Sequence, residues 1–483
     1  MNQDSFGAVG SAFWIRCHRT QRAWTGAGLA VLLTGCLATA NVLTETPRDA
    51  KPAARDREHQ ENYSALSQDP ASPGPSFFSA EKPLPPLSSY SDDYWTALSD
   101  LDLTALRNAA RTDPEIDFAK GITLLAGGNQ QEAEIAFAAV SRQATDVSLA
   151  VAAQIMLART LLYERKWTTL RDLAITSSLA PADRENTADL EKWGHAFANV
   201  DEQTTSLPQE PVSLRLRITA VGTPTIRVRI NEKEYDFWID TGSSMTVVSS
   251  RVAAEAKVPM ISPDTLAVGT FAGVVAVRPA VVKRMEIGPI VFSNSPAIVM
   301  DAAFMRIKST AEGVTGAGLR VDGIIGWDII RQLDIVMDYQ AGKITFNRPE
   351  QLNTNGTALQ NLTWMGKPLV QVARQPGGTF HFRLDTGAQA SFLNAAIMEK
   401  AGVATRSYGG QVFGFAETGR RTDRIVPVLA LDIGGKSLRL ESVIVYGPSL
   451  SGLVNSDGIL GSDIARFGKI RIDATNGLFS VGE

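Results

Sequence analysis

The chain has 483 residues, 44% of them apolar and 20% charged, which is enough apolar side chain for more than one folded core and too much for a fibrous or disordered whole. Its net charge is −4 and it holds no long basic run, which sets nucleic acid aside as a partner. There are 2 cysteines and 4 histidines. Cys17 and Cys36 both lie near the N-terminus, so the rest of the chain carries no disulfide and no thiolate nucleophile. His18, His59, His195 and His381 lack the spacing of metal ligands, so neither a metal nor a cofactor is expected.

Arg16, Arg19 and Arg22 precede an apolar stretch over 23–33 that is too short to span a bilayer, the pattern of an export signal. The following Leu33-Thr34-Gly35-Cys36 resembles a bacterial lipobox, in which Cys36 becomes the lipidated first residue of the mature protein. That resemblance makes 1–36 a signal and implies a lipoprotein on the periplasmic face of a membrane, with Leu37 favouring the outer one. The alternative is an ordinary signal cut near Ala38-Thr39-Ala40, which implies a soluble periplasmic or secreted protein. Residues 37–90 then form a linker, with Pro47, Pro52, Pro70, Pro73, Pro75, Pro83, Pro85 and Pro86 set among Ser, Asp and Glu.

Residues 91–205 have the pattern of helices. Asp113-Pro114-Glu115 is expected to start one, with Asp113 as cap and Pro114 at the first position, and Gly127-Gly128-Asn129 ends it before Glu132. Gly121, Ala133 and Phe137 fall where a tetratricopeptide-type hairpin keeps its small and aromatic packing residues, and 150–162 with 167–175 form a second candidate hairpin. The resemblance to that repeat family is loose, and a generic helical bundle is the alternative. A repeat of this kind implies a protein partner.

From Leu214 the pattern changes to short alternating strands, such as Thr225–Ile230 and Tyr235–Ile239 joined by Asn231-Glu232-Lys233-Glu234, and Leu369–Ala373 and Thr379–Leu384 joined around Pro376-Gly377-Gly378. Here an apolar run drives a carboxylate into a tight turn twice, at Phe237-Trp238-Ile239-Asp240-Thr241-Gly242-Ser243 and at Phe382-Arg383-Leu384-Asp385-Thr386-Gly387-Ala388. Laying Asp385 on Asp240 also lays Ser391-Phe392-Leu393 on Thr246-Val247-Val248 and Val403 on Val258. Further on, Asp322-Gly323-Ile324-Ile325-Gly326 matches Asp457-Gly458-Ile459-Leu460-Gly461, and the same offset pairs Asp338 with Asp473 and Gly342 with Gly477. Residues 212–350 and 351–483 are therefore two related halves, and an apparent surface insertion over 301–320 accounts for part of the extra length of the first.

Two carboxylates held about 3 Å apart cannot both ionise, so they share a proton and provide an acid and a base together. Such a pair can activate water against an amide carbonyl and protonate the leaving nitrogen. In these features 212–483 resembles the aspartic proteases, most closely the retropepsin-like branch. The resemblance implies an all-β, double-lobed acid-protease domain, a closed barrel in each lobe, behind the all-α domain. It makes Asp240 and Asp385 the catalytic pair of an endopeptidase. Thr241 and Thr386 would lock the two loops together, Gly242 and Gly387 would let backbone approach the carboxylates, and Gly326 and Gly461 would pack beneath the loops. Ser243 is expected to donate to its carboxylate where Ala388 cannot, which would raise the working pH.

Gly and Phe alternate at Gly269, Phe271 and Gly273 and again at Gly410, Phe413 and Gly414, which suits hairpin tips that close over a substrate. The implied substrate is an extended polypeptide held by strand-type hydrogen bonds, and both aspartates in one chain imply a complete site in a monomer. Two other readings remain: a peptide-binding or scaffold lipoprotein whose protease-like domain does not cut, and lobes that pair between chains.

Overall fold

The computed structural model describes residues 92–173, 192–270, 273–307, 318–350, 360–374, 378–395, 397–398, 402–412, 420–446 and 453–482. The expected signal, Cys36 and the whole linker over 37–90 fall outside these residues. So do parts of the 301–320 insertion and the C-terminal end of the second candidate hairpin.

The N-terminal unit is helical. Asp92–Ser99, Leu103–Ala109, Asp113–Ala126, Gln130–Gln143, Val147–Glu164 and Trp167–Arg171 follow one another with short connections. The start of the third differs from expectation by one residue. Thr112 is the cap, because its hydroxyl accepts from the Glu115 amide while the Glu115 carboxylate accepts from the Thr112 amide, leaving Asp113 and Pro114 inside the first turn. Gly121 faces the next helix so closely that a Cβ there would lie 2.7 Å from the Phe137 ring, and Phe118, Ala133 and Phe137 are all buried at that crossing. Helix Val147–Glu164 is apolar enough in length and composition to cross a bilayer, yet Leu149, Ala152, Met156, Ala158 and Leu161 along it are buried.

The C-terminal part is two closed barrels of six strands each. In the first, strands Ile290–Met300, Val247–Ser249, Gly323–Ile325, Lys233–Ile239, Pro224–Ile230 and Gly273–Ile287 pair in that order and return to Ile290–Met300. In the second, Pro368–Arg374, Thr379–Leu384, Gly458–Leu460, Phe392–Asn394, Lys436–Tyr446 and Arg420–Ile433 form the same ring. The first hairpin turns at Asn231 and Glu232 alone, both with positive φ, so Lys233 and Glu234 belong to the strand rather than to the expected loop.

A third sheet joins the lobes. Strand Asp334–Asp338 of the first half pairs antiparallel with Lys469–Asp473 of the second, with Val212–Arg215, Lys343–Asn347 and Leu478–Gly482 completing it. Arg471 donates to both carboxylate oxygens of Asp334 across that seam, at 2.9 and 3.1 Å. Two matched turns close the sheet's hairpins at Gly342 and Gly477, with φ of 60° and 63°. Beside each, an aspartate accepts a local amide, Asp338 from Ala341 and Asp473 from Asn476.

The helical unit packs on both lobes. Tyr163 packs against Trp364 of the second lobe in a tilted pair at 4.4 Å and lies under the Arg331 guanidinium of the first at 3.9 Å. The Ala126 carbonyl accepts from Thr363, the Ser99 carbonyl accepts from the Asn455 amide, and Arg165 donates to the Asp328 carbonyl. One continuous apolar core runs from Tyr94 through both barrels to Val481.

Candidate active site

Each candidate aspartate ends a strand that the barrel holds from both sides. Phe237 and Ile239 are fully buried, and so are Phe382 and Leu384, which fixes the direction in which each strand leaves the core. Gly323–Ile325 runs parallel to Phe237–Ile239, and Gly458–Leu460 parallel to Phe382–Leu384. The Asp240 amide then donates to the Ile325 carbonyl and the Asp385 amide to the Leu460 carbonyl, each at 3.0 Å. Gly323 and Gly458 are required there, since a Cβ would lie 2.2 Å from the Phe237 ring and 2.6 Å from the Phe382 ring.

The two turns meet. The Thr241 hydroxyl donates to the Leu384 carbonyl at 2.9 Å and accepts the Thr386 amide at 3.0 Å. The Thr386 hydroxyl donates to the Ile239 carbonyl at 2.7 Å and accepts the Thr241 amide at 3.1 Å. Both side chains are buried. Gly242 lies against the opposite carboxylate: a Cβ on it would sit 2.4 Å from Asp385 Cγ, and one on Gly387 would sit 2.4 Å from Asp240 Cγ. Asp240 accepts the Gly242 amide and Asp385 accepts the Ala388 amide.

Ser243 does something other than expected. Its hydroxyl donates to the Met245 carbonyl at 2.7 Å, so it adds no donor to Asp240 and the contrast with Ala388 does not set the carboxylates' protonation. Burial, and then the Asp385 charge and its hydrogen bond, hold the Asp240 carboxyl well above the ordinary carboxylate range, against the pull of the Arg383 charge and the Gly242 amide.

The glycine segments support the turns from the side. The Trp327 amide donates to the Ser243 carbonyl and the Ser462 amide to the Ala388 carbonyl, both at 2.7 Å. A Cβ on Gly326 would lie 2.4 Å from the Met245 carbonyl, and one on Gly461 would lie 2.6 Å from that of Ala390. Beside each glycine sits a buried hydroxyl–carboxyl pair that sequence reasoning did not assign: Thr246 donates to Asp328 at 3.0 Å and Ser391 to Asp463 at 2.7 Å. The two offsets that align the halves also align these pairs, and that was the available signal. Burial raises both carboxyls, Asp328 to about 6.

Sequence reasoning also missed Arg383. It stands two residues before Asp385 on the same face of the strand, and its guanidinium donates to the Gly242 carbonyl of the other turn. The matching position of the first lobe, paired with Ile324 as Arg383 is with Ile459, holds Trp238.

Of the candidate tip residues, Gly269 and Gly273 lie in the hairpin of strands Leu266–Thr270 and Gly273–Ile287, closed by the Thr270–Gly273 pair, and Phe271 lies outside the described residues. Gly410 falls within strand Arg406–Val412, opposite Thr422, rather than at a tip, because the ladder runs on to Val412 and Arg420. Phe413 and Gly414 lie outside the described residues. Among the described residues no group of three or more His, Cys, Asp or Glu could hold a metal ion.

Residues 226–329 match the family described as aspartyl protease, a span that contains Asp240 and Gly326. Among solved structures, the chain is similar to the crystal structure of a retropepsin-like aspartic protease from Rickettsia conorii. The identity is 15%, the match covers 31% of this chain and 96% of that chain, and the TM-score is 0.19. No curated protein matches the sequence. The C-terminal part is thus a duplicated pair of closed barrels, of which the first contains the span that matches the aspartyl protease family, attached to a helical unit.

Proposed function

We propose that the chain is an aspartic endopeptidase that hydrolyses peptide bonds of extended polypeptides with a water activated between Asp240 and Asp385. The observation that carries this reading is the reciprocal Thr241–Thr386 lock, which sets Gly242 against Asp385 and Gly387 against Asp240 in a single chain. In that frame one carboxyl of the pair is protonated and the other ionised. The ionised one takes a proton from water as the oxygen attacks the carbonyl carbon, and the other hydrogen-bonds the carbonyl oxygen. The pair then delivers a proton to the leaving nitrogen and returns to its starting state. Because both aspartates come from one chain, the monomer is the working unit.

The same proposal places the enzyme outside the cytoplasm, exported by residues 1–36 and anchored through a lipidated Cys36, with the helical unit available to a protein partner. The test is cleavage of a mixed peptide library by the full chain, beside Asp240→Asn and Asp385→Asn, from pH 4 to 8. Cutting by the native protein that each single substitution abolishes is the expected result. A folded native protein that cuts nothing at any pH overturns it in favour of a peptide-binding domain.

A further inference from the structure

Three functional groups of the site meet at Gly242. Its amide donates to Asp240 Oδ1 at 2.8 Å, a Cβ on it would lie 2.4 Å from Asp385 Cγ, and its carbonyl accepts from the Arg383 guanidinium of the other lobe. Arg383 reaches it from a fixed base. Phe382 and Leu384 on either side are buried inside the second barrel, so the alternation of the strand turns Arg383 the other way, to the face that Asp385 shares. The Arg383 backbone lies between Leu369 and Ile459 in the sheet, and its amide donates to the Ser456 hydroxyl at 3.1 Å. Ser456 is itself buried and donates to the Gly458 carbonyl at 2.6 Å.

The first lobe puts Trp238 at the position of Arg383, so no cation reaches back from there toward Gly387. The two carboxyls are held differently as well: Asp240 accepts the amide two residues on, from Gly242, and Asp385 the amide three residues on, from Ala388. The duplication is broken where Arg383 crosses. A guanidinium bonded to a neutral carbonyl keeps its charge, and in a shielded site that charge acts strongly on carboxyls close by. The charges that act on Asp240 are those of Asp385, against its ionisation, and of Arg383, in favour of it. Lys367, two residues before the Leu369 that pairs with Arg383, and Arg159, packed over Gly366, are further cations on that side.

We propose that Arg383 is a positioning residue of the aspartate pair, which ties the first lobe's turn to the second lobe through Gly242 and sets a positive charge beside both carboxyls. The proposal rests on the reading of Asp240 and Asp385 as a catalytic pair. Burial and a facing carboxyl both favour protonation, and a pair that holds too many protons has no base to take one from water. A fixed cation offsets both. The two lobes therefore play unequal parts, since the second supplies the charge and the first receives it.

The experiment follows by NMR the side-chain carboxyl carbons of the full chain, labelled with 13C in its aspartates, from pH 4 to 10. The signals of the pair are those missing from Asp240→Asn and Asp385→Asn. Arg383→Gln, which keeps a donor, and Arg383→Met, which keeps an apolar stem, both remove the charge, whereas Arg383→Lys keeps it; titration is read on the variants that melt in one cooperative transition. The expected result is a titration midpoint for the pair about one pH unit higher in the neutral variants, a gain of roughly tenfold in proton affinity, and a much smaller shift in Arg383→Lys. In cleavage, the alkaline limb of kcat moves up with the midpoint while KM for a long peptide changes little. A residue that only braced the lobes would lower the Tm in every variant and leave the midpoint in place, and that result overturns the proposal. A shift in Arg383→Lys as large as in the neutral variants overturns it too, since charge would then not be the agent. Because the titration is read without substrate, it is decided whether or not the native protein cuts, and an uncut library counts against the protease reading alone.

Discussion

The hydroxyls of Thr241 and Thr386 each hold the other lobe's turn at two points, the carbonyl just before that turn's aspartate and the amide just after it. All the groups belong to residues of the paired turns, and both threonine side chains are buried, so water offers no substitute partner for a missing hydroxyl. The lock acts on lobe separation and on the distance between the aspartates at once.

Thr241→Val keeps the shape of the side chain and removes its hydroxyl, which leaves the Leu384 carbonyl and the Thr386 amide without partners. Each orphaned group costs about 1–3 kcal/mol. The expected outcome is a lower Tm by calorimetry together with loss of cleavage, whereas Thr241→Ser, which keeps the hydroxyl, retains both. A Thr241→Val protein with native Tm and native cleavage rate would mean that the bonds are incidental.

Gly387→Ala tests the close approach rather than the lock. Its Cβ would lie 2.4 Å from Asp240 Cγ, far inside contact distance, so the carboxylate or the turn must move. A displacement of about 1 Å at reacting groups costs roughly 100-fold in rate. The expected result is a drop in kcat of at least that order with KM for a long peptide little changed, since contacts away from the pair remain.

Much of this site was legible in the sequence because duplication supplied its own control. Asp240 with Asp385 and Gly326 with Gly461 recur in register, and positions that recur in both halves are those that backbone geometry requires. Arg383 was not legible for the converse reason: it replaces Trp238, and a single charged residue in an alternating strand has the same pattern as an ordinary solvent-facing position. Ser243 misled because a hydroxyl next to a carboxylate has several acceptors within reach, and local backbone, here the Met245 carbonyl, decides among them. Thr112 was passed over as a cap because Asp113 and Pro114 form a start signal one residue later.

Asp328 gives a pH dependence that is independent of cleavage. Burial raises it to about 6, over the opposing pull of Arg165, Thr246 and Arg331, and its Oδ2 is buried without a partner. In the unfolded chain the same carboxyl ionises near pH 4. Its contribution therefore favours the native state at low pH and is lost as pH rises from about 4 to about 6. Asp328→Asn keeps the acceptor for Thr246 and cannot ionise. The Tm of the native protein is expected to fall relative to that of Asp328→Asn across this window and then to run parallel to it; a constant difference throughout would contradict the assignment.

The helical unit touches both lobes through one aromatic side chain, since Tyr163 meets Trp364 of the second lobe and Arg331 of the first. Removing it takes away an aromatic pair and a cation–π contact, together worth about 1–3 kcal/mol. Tyr163→Ala is expected to lower the Tm of the whole chain rather than to melt the helices apart from the barrels, because one apolar core runs through all three parts. A double-mutant cycle with Trp364→Ala isolates the pair, and neighbours in contact should couple by about 0.5–1.5 kcal/mol. If the two substitutions are additive and the helical unit melts in a transition of its own, the helices are tethered to the barrels without bracing them. If they couple and cleavage falls with Tm, the helical unit holds the lobe geometry on which the aspartate pair depends.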